Sequence, residues 1–212
     1  MQVSIYINNL GKKFVNEWIF KNLSLTIPPT HKLVILGANG SGKSTLLQSI
    51  ASFLIPTQGE VIWKNQDQTL EDDTLYKHLS MASPYMELIE DFTLTETIAH
   101  QQQFKPFVNN LSIQEVIKLM QLEHAAEKYL KNYSSGMRQR VKLGLAILAH
   151  CPVLLLDEPC SNLDAGAIAW YQTMITEYAQ HKTIIVCSNA VKEEYSFCNN
   201  RIEIENYKQN KA

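Results

Sequence analysis

Two short stretches hold the side chains from which chemistry can be built. The first, Gly37-Ala38-Asn39-Gly40-Ser41-Gly42-Lys43-Ser44-Thr45, fits the pattern G-x-x-x-x-G-K-S. Its glycines let consecutive backbone N–H groups turn inward around phosphate oxygens, and a helix opening at Lys43 adds the positive end of its dipole. The Lys43 ammonium would neutralise β/γ-phosphate charge, and the Ser44 hydroxyl would take a coordination position on Mg²⁺. The second stretch, Val153-Leu154-Leu155-Leu156-Asp157-Glu158-Pro159, ends an apolar run on two acids. Asp157 reads as the Mg²⁺ partner, and Glu158 as the general base that polarises water against a γ-phosphate. Alone, the first stretch would be a glycine-rich turn and the second a helix cap. Together they predict a nucleoside triphosphate site with ATP and Mg²⁺.

Such a site needs strands that deliver both loops to one edge. Leu33–Leu36 is an apolar run ahead of Gly37, while Leu46, Leu47, Ile50 and Leu54 follow at helical spacing. Strand character returns at Val153–Leu156 and Thr183–Cys187, flanking a helical stretch from about 166 to 179. Strand–helix–strand order at both ends predicts an α/β fold with a P-loop NTPase core and a mainly parallel sheet. Residues 3–7 and 23–27 alternate as two half-buried strands of a small N-terminal antiparallel β element, with Phe14 and Trp18 between them. A further strand begins at Glu60–Trp63, and residues 64–74 read as a polar loop. Thr93–Glu96 and Ser112–Glu115 are capping-box patterns, Pro106 separates the helices they open, and residues 140–149 form a third helix. These helices read as an inserted helical subdomain. The expected division is one domain over 1–212, with its core at about 1–84 and 151–212 and the subdomain at about 85–150. Arg201–Glu205 reads as a last short strand, and 206–212 as a frayed polar tail.

The 212 residues are 45% hydrophobic, enough for a sizeable core, and carry a net charge of −2 without a basic block. That balance gives no support for nucleic-acid binding. The four cysteines form no CxxC pair and sit in or beside apolar runs, so reduced thiols in a cytosolic protein are expected. No signal peptide is predicted, and no apolar stretch approaches the ~20 residues that span a bilayer. Any membrane role is expected to be peripheral.

With these motifs in place, the sequence resembles the ATP-binding cassette (ABC) ATPases over nearly its whole length. Tyr133-Ser134-Ser135-Gly136-Met137-Arg138-Gln139-Arg140 resembles the family signature LSGGQ followed by RQR, and it falls between the P-loop and the acidic strand. Ser161–Asp164 resembles the D-loop, and Phe92-Thr93 through Glu96 the L-T-x-x-E that opens the helical subdomain. Phe14 matches the aromatic that stacks on adenine, with Trp18 the alternative. The resemblance implies an ATP-hydrolysing subunit that drives a separate transmembrane permease from the inner face of the cell membrane. It also implies a head-to-tail dimer, expected as a homodimer, in which Ser134, Ser135 and Gly136 of one copy close on ATP bound by the P-loop of the other.

The sequence departs from that pattern in three places. Ser135 and Met137 replace the first Gly and the Gln of LSGGQ, a variation resembling the branch that powers ABC-2-type exporters. The Q-loop glutamine should lie near Ala82-Ser83-Pro84-Tyr85, which contains none. The switch histidine aligns with Asn189, whose amide can hydrogen-bond a γ-phosphate or a water without carrying positive charge. None of the six histidines takes a catalytic assignment. Hydrolysis is therefore expected through Glu158, slower than in a cassette with every motif. The alternatives are a soluble ABC ATPase outside transport, which usually carries two cassettes or a coiled-coil insertion, and a weakly hydrolysing partner cassette.

Overall fold

The computed structural model describes residues 2–208. Two sheets share the work of positioning. The N-terminal strands β1 (Val3–Phe14) and β2 (Glu17–Ile27) form an antiparallel hairpin, joined on the other side of β1 by β4 (Gln58–Asn65) and then the short β5 (Gln68–Thr69). The second sheet has the order β6 (Leu79–Ala82), β7 (Val153–Asp157), β8 (Thr183–Ser188), β3 (Lys32–Leu36), β9 (Asn200–Glu203), and every neighbouring pair is parallel.

The inner parallel strands β3, β7 and β8 are buried on both faces, which is why they read as nearly unbroken apolar runs, whereas the edge strand β9 leaves Arg201 and Glu203 exposed. Side chains alternate across the pleat, so each strand feeds two cores. Leu33, Ile35, Val153, Leu155, Ile185 and Cys187 meet the antiparallel sheet through Ile5, Phe20 and Trp63. Val34, Leu154, Leu156, Ile184 and Val186 face the other way, toward the helical segment and the helices Ser135–Leu148 and Ala165–Tyr178. Full burial of each such side chain is worth about 1.5–3 kcal/mol.

The α-helices are α1 (Lys43–Ile50), α2 (Leu94–Phe104), α3 (Ile113–Met120), α4 (Ser135–Leu148), α5 (Ala165–Tyr178) and α6 (Lys192–Tyr195). Both capping boxes form completely. Thr93 Oγ1 accepts from the Glu96 N–H while Glu96 accepts from the Thr93 N–H, and Ser112 and Glu115 repeat the arrangement. Lys182 is buried under the end of α4, where its ammonium donates to the carbonyls of Ile147 and Ala149 at 2.7 and 2.6 Å. The negative end of the helix dipole balances that charge.

Several boundaries differ from the sequence reading. The hairpin strands run through to Val15–Asn16, so Phe14 and Trp18 lie within it, and positive-φ residues Asn9 and Asn22 mark the irregular register that allows this. The polar stretch 64–74 contains the end of β4, β5 and the start of a 3₁₀ turn at Asp72–Lys77. Leu79–Ala82, just ahead of the helical segment, is a strand set by parallel pairing with β7. The last strand ends at Glu203, so 204 and 205 leave it for a 3₁₀ turn that also takes in 206 and 207 of the expected frayed tail; 209–212 lie outside the described residues.

Candidate nucleotide site

The order β7-β8-β3 brings three carboxyl ends to one edge. Asp157 pairs with Cys187, and Leu36 pairs with Ser188 on one side and Glu203 on the other. Ligands of open α/β sheets bind at that edge. The P-loop, the acids after β7, the turn after β8 and the segment after β9 therefore meet.

In the P-loop, Gly42 has φ 103° and N-caps α1 without a side-chain hydrogen bond. A Cβ there would lie 2.3 Å from Ile19 Cγ2 of β2, so the loop lies directly on the hairpin. At Gly40, φ 74°, nothing lies within 4 Å of such an atom, leaving open space over the loop. The first-turn N–H groups of α1 are thus not engaged by a cap and face an open cradle. Lys43 is 4% exposed, and its ammonium donates to the carbonyls of Gly37 and Ala38 at 3.0 and 3.1 Å. It also lies 3.6 Å from Glu158 Oε1.

Asp157 is 1% exposed. Its Oδ2 accepts from the Ser83 hydroxyl at 3.3 Å, and its Oδ1 is buried without a hydrogen-bond partner among the described residues. Burial pushes its pKa up and Glu158 adds to that, while the nearby Ser44 and Ser83 hydroxyls and Lys43 oppose it. A buried carboxylate oxygen with nothing to bind is costly in water-excluding surroundings. Beside the Ser44 hydroxyl, it fits a divalent cation. Glu158 has φ 43°, a left-handed backbone that a non-glycine residue adopts only under constraint. Its N–H donates to Cys187 O at 2.9 Å, tying the turn to β8. Cys160, next but one, is no nucleophile: burial and then Glu194 push its thiol up to about 12.

Asn189 reaches the P-loop, its amide donating to Asn39 Oδ1 at 3.3 Å. Ser134 caps α4 by accepting from the Met137 N–H at 3.2 Å. Arg138 fastens this segment, donating to Glu90 at 2.9 Å, Lys131 O at 3.1 Å and Tyr133 O at 3.2 Å. Buried Gln139 donates to Pro159 O at 2.9 Å, and a Cβ on Gly136 would lie 3.1 Å from Asn162 O. Ser134, Ser135 and Gly136 therefore border the loop after β7. No hydrogen bond among the described residues joins them to residues 37–45. Phe14 ends β1 at 47% exposure with the Lys12 ammonium 5.1 Å from its ring centroid. Trp18 is half-buried, has Lys21 at 4.7 Å over its ring and lies against Gly11, leaving Phe14 the more open platform.

Four residues of the site lack a motif in the sequence reading. Ser83 touches Asp157 from the segment that lacks a glutamine, and Lys142 anchors that segment by donating to Pro84 O at 2.9 Å. Glu205 Oε1 accepts from the Ala38 N–H at 2.9 Å, at the P-loop mouth. Glu194 accepts from the Cys160 N–H at 3.1 Å. The only available signal was an acid or hydroxyl close to a motif, which many surface residues share.

A family profile described as ABC transporter matches residues 20–161. The sulfate/thiosulfate import ATP-binding protein CysA of Synechocystis is 36% identical over 166 residues, covering 77% of this chain and 46% of that protein. The Fe(3+) ions import ATP-binding protein FbpC 1 of Pectobacterium atrosepticum is 30% identical over 183 residues, 85% of this chain and 52% of that one. The chain thus spans about half the length of these curated relatives. A bacterial ABC transporter cassette solved as a dimer superposes with a TM-score of 0.79 at 23% identity, covering 94% of each chain. The profile match spans most of the chain and takes in the P-loop, the signature and the paired acids: the chain belongs to the ABC transporter family.

Proposed function

We propose that this chain is the ATP-binding and ATP-hydrolysing subunit of an ABC transporter, acting on a separate membrane subunit. The observation that carries the reading is the buried Asp157 Oδ1, without a partner among the described residues, beside an ion pair of Lys43 with Glu158 at the mouth of a glycine-rich loop. On this reading the backbone from Gly37 to Thr45 cradles the phosphates and Lys43 neutralises the β- and γ-oxygens. Phe14 stacks on adenine. Ser44 and Asp157 would hold Mg²⁺, whose contribution when bound is to neutralise charge between the β- and γ-phosphates. Glu158 takes a proton from water as its oxygen attacks the γ-phosphorus, and the bond to the β–γ bridging oxygen breaks, releasing ADP and phosphate. Asn189 donates to the γ-phosphate, and Ser134, Ser135 and Gly136 of a second copy close over it.

The chain acts as one cassette over 1–212, with the segment at about 85–150 as its helical subdomain. Docking to the membrane subunit falls on that subdomain and on residues 82–92. In support, Phe53, Met86, Ile89 and Phe104 are exposed apolar side chains lining a single groove of about 340 Å³. Among the described residues no helix is long and apolar enough to cross a membrane, which suits a peripheral subunit on the inner face. The Ser134-Ser135-Gly136-Met137 signature favours an exporter of the ABC-2 type. The relatives named above are described as import proteins, so the direction is tested by identifying the membrane protein that co-purifies with the chain.

Titration of the purified chain with ATP and Mg²⁺ tests the core of the reading. Lys43→Ala should abolish nucleotide binding while leaving the fold intact. Unchanged binding would remove the P-loop from the mechanism.

A further inference from the structure

Glu194 is a buried acid that the reaction above does not use. It is 3% exposed, near the end of the short helix α6, and the Tyr171 hydroxyl donates to its backbone carbonyl at 2.8 Å. Its Oε1 accepts from the Cys160 N–H at 3.1 Å, whereas Oε2 has no partner among the described residues. Removing an acid from water with one oxygen unsatisfied is unfavourable, so the surrounding packing must offset that cost to keep Glu194 in place.

What it holds is a strained turn. Glu158 sits at φ 43°, and the Ser161 N–H closes the turn onto Glu158 O at 3.0 Å. A backbone in that region persists only where neighbours over-determine it. Two groups do so. Cys187 O on β8 receives the Glu158 N–H at 2.9 Å, and the Glu194 carboxyl receives the Cys160 N–H in the middle of the turn. The Ser188 hydroxyl, on the residue before Asn189, also lies close enough to the Glu194 carboxyl to stabilise its ionised form. One buried carboxyl therefore touches both the turn that carries Glu158 and the strand end that carries Asn189.

We propose that Glu194 is the positioning residue for Glu158, holding the 158–161 turn and the end of β8 in one fixed relation. The inference rests on the reading of Glu158 as general base. Burial raises the pKa of Glu194, and the nearby Ser188 hydroxyl and the Cys160 N–H oppose that rise. An acceptor oxygen faces Cys160 in either protonation state, so glutamine can fill the role and alanine cannot.

The test compares the full chain with Glu194→Ala, Glu194→Gln and Glu158→Gln, by amide hydrogen exchange and by steady-state hydrolysis per folded molecule. In Glu194→Ala, exchange should quicken together in 157–164 and 186–191 but not in β3. The kcat should fall about tenfold with KM within about twofold, the pattern of a lost transition-state geometry. Glu194→Gln should restore both readouts. Exchange changes confined to 192–195, an unchanged kcat, or a glutamine variant as impaired as alanine would each overturn the proposal. Should Glu194→Ala not fold, Glu194→Asp takes its place, because one methylene fewer lifts the acceptor off Cys160. If the wild-type chain hydrolyses no more ATP than Glu158→Gln, the reading of Glu158 fails, and the exchange data still decide whether Glu194 couples the two segments.

Discussion

Lys43 Nζ and Glu158 Oε1 stand 3.6 Å apart, so the cation of the phosphate cradle faces the acid proposed to activate water. Without nucleotide each partially neutralises the other. On the proposed reading, phosphate oxygens would compete with Glu158 for Lys43, and binding would free the carboxylate to act as a base.

Glu158→Gln should therefore tighten ATP binding several-fold, since the competitor for Lys43 loses its charge, while hydrolysis falls by about a hundredfold or more. Fluorescent-nucleotide titration and phosphate release measure the two effects. The same variant with ATP and Mg²⁺ should run as a dimer on size exclusion, and a monomer alone would count against the shared site.

Asp157→Asn should raise the melting temperature of the nucleotide-free chain by about 2–4 °C, what ~1 kcal/mol amounts to at this size. The sign follows from burial, which raises the folded-state pKa of Asp157. The protonated form is favoured in the folded chain, so this contribution to stability is present at low pH and lost as pH rises through the raised pKa. Wild-type stability without metal should show that decline, and Asp157→Asn should flatten it. The variant should also lose metal-dependent tightening of nucleotide binding. A lower melting temperature for Asp157→Asn would refute the assignment of an uncompensated carboxylate.

Asn189→His should speed hydrolysis by about tenfold, because an imidazole can carry the positive charge an amide cannot. Asn189 already contacts Asn39 of the P-loop, so the new ring would enter the right corner. Turnover measured with the membrane partner decides the matter. No change, together with a wild-type rate equal to that of a cassette with every motif, would sink the idea.

Glu205→Gln should tighten ATP binding about two- to fivefold, with the gain shrinking as salt is added. Its carboxylate accepts from the Ala38 N–H at the P-loop mouth and adds negative charge where phosphates approach. Titrations at low and high ionic strength would expose a gain that ignores salt, which this account does not allow.

What could be read from the chain and what could not divide along a physical line. The P-loop, the acids after β7 and both capping boxes are local patterns, and Thr93–Glu96 and Ser112–Glu115 close as their spacing requires. Leu79–Ala82 has four residues and no β-branched member; it is a strand because β7 lies beside it. The hairpin outruns its alternating ends because Asn9 and Asn22 absorb register shifts that no short-range rule anticipates. Ser83, Glu194 and Glu205 gain their meaning from residues 74, 34 and 167 positions away. No window along the chain contains both partners.

The alternation along β3, β7 and β8 has one more consequence. Because neighbouring residues of one strand enter opposite cores, neither core can melt while the other keeps its wall. Trimming away either the hairpin or the helices would leave a bare apolar sheet face, prone to self-association. Heat or denaturant should accordingly dissolve the P-loop and the groove lined by Phe53, Met86, Ile89 and Phe104 in a single transition, so that loss of nucleotide binding and loss of the proposed docking surface share one midpoint.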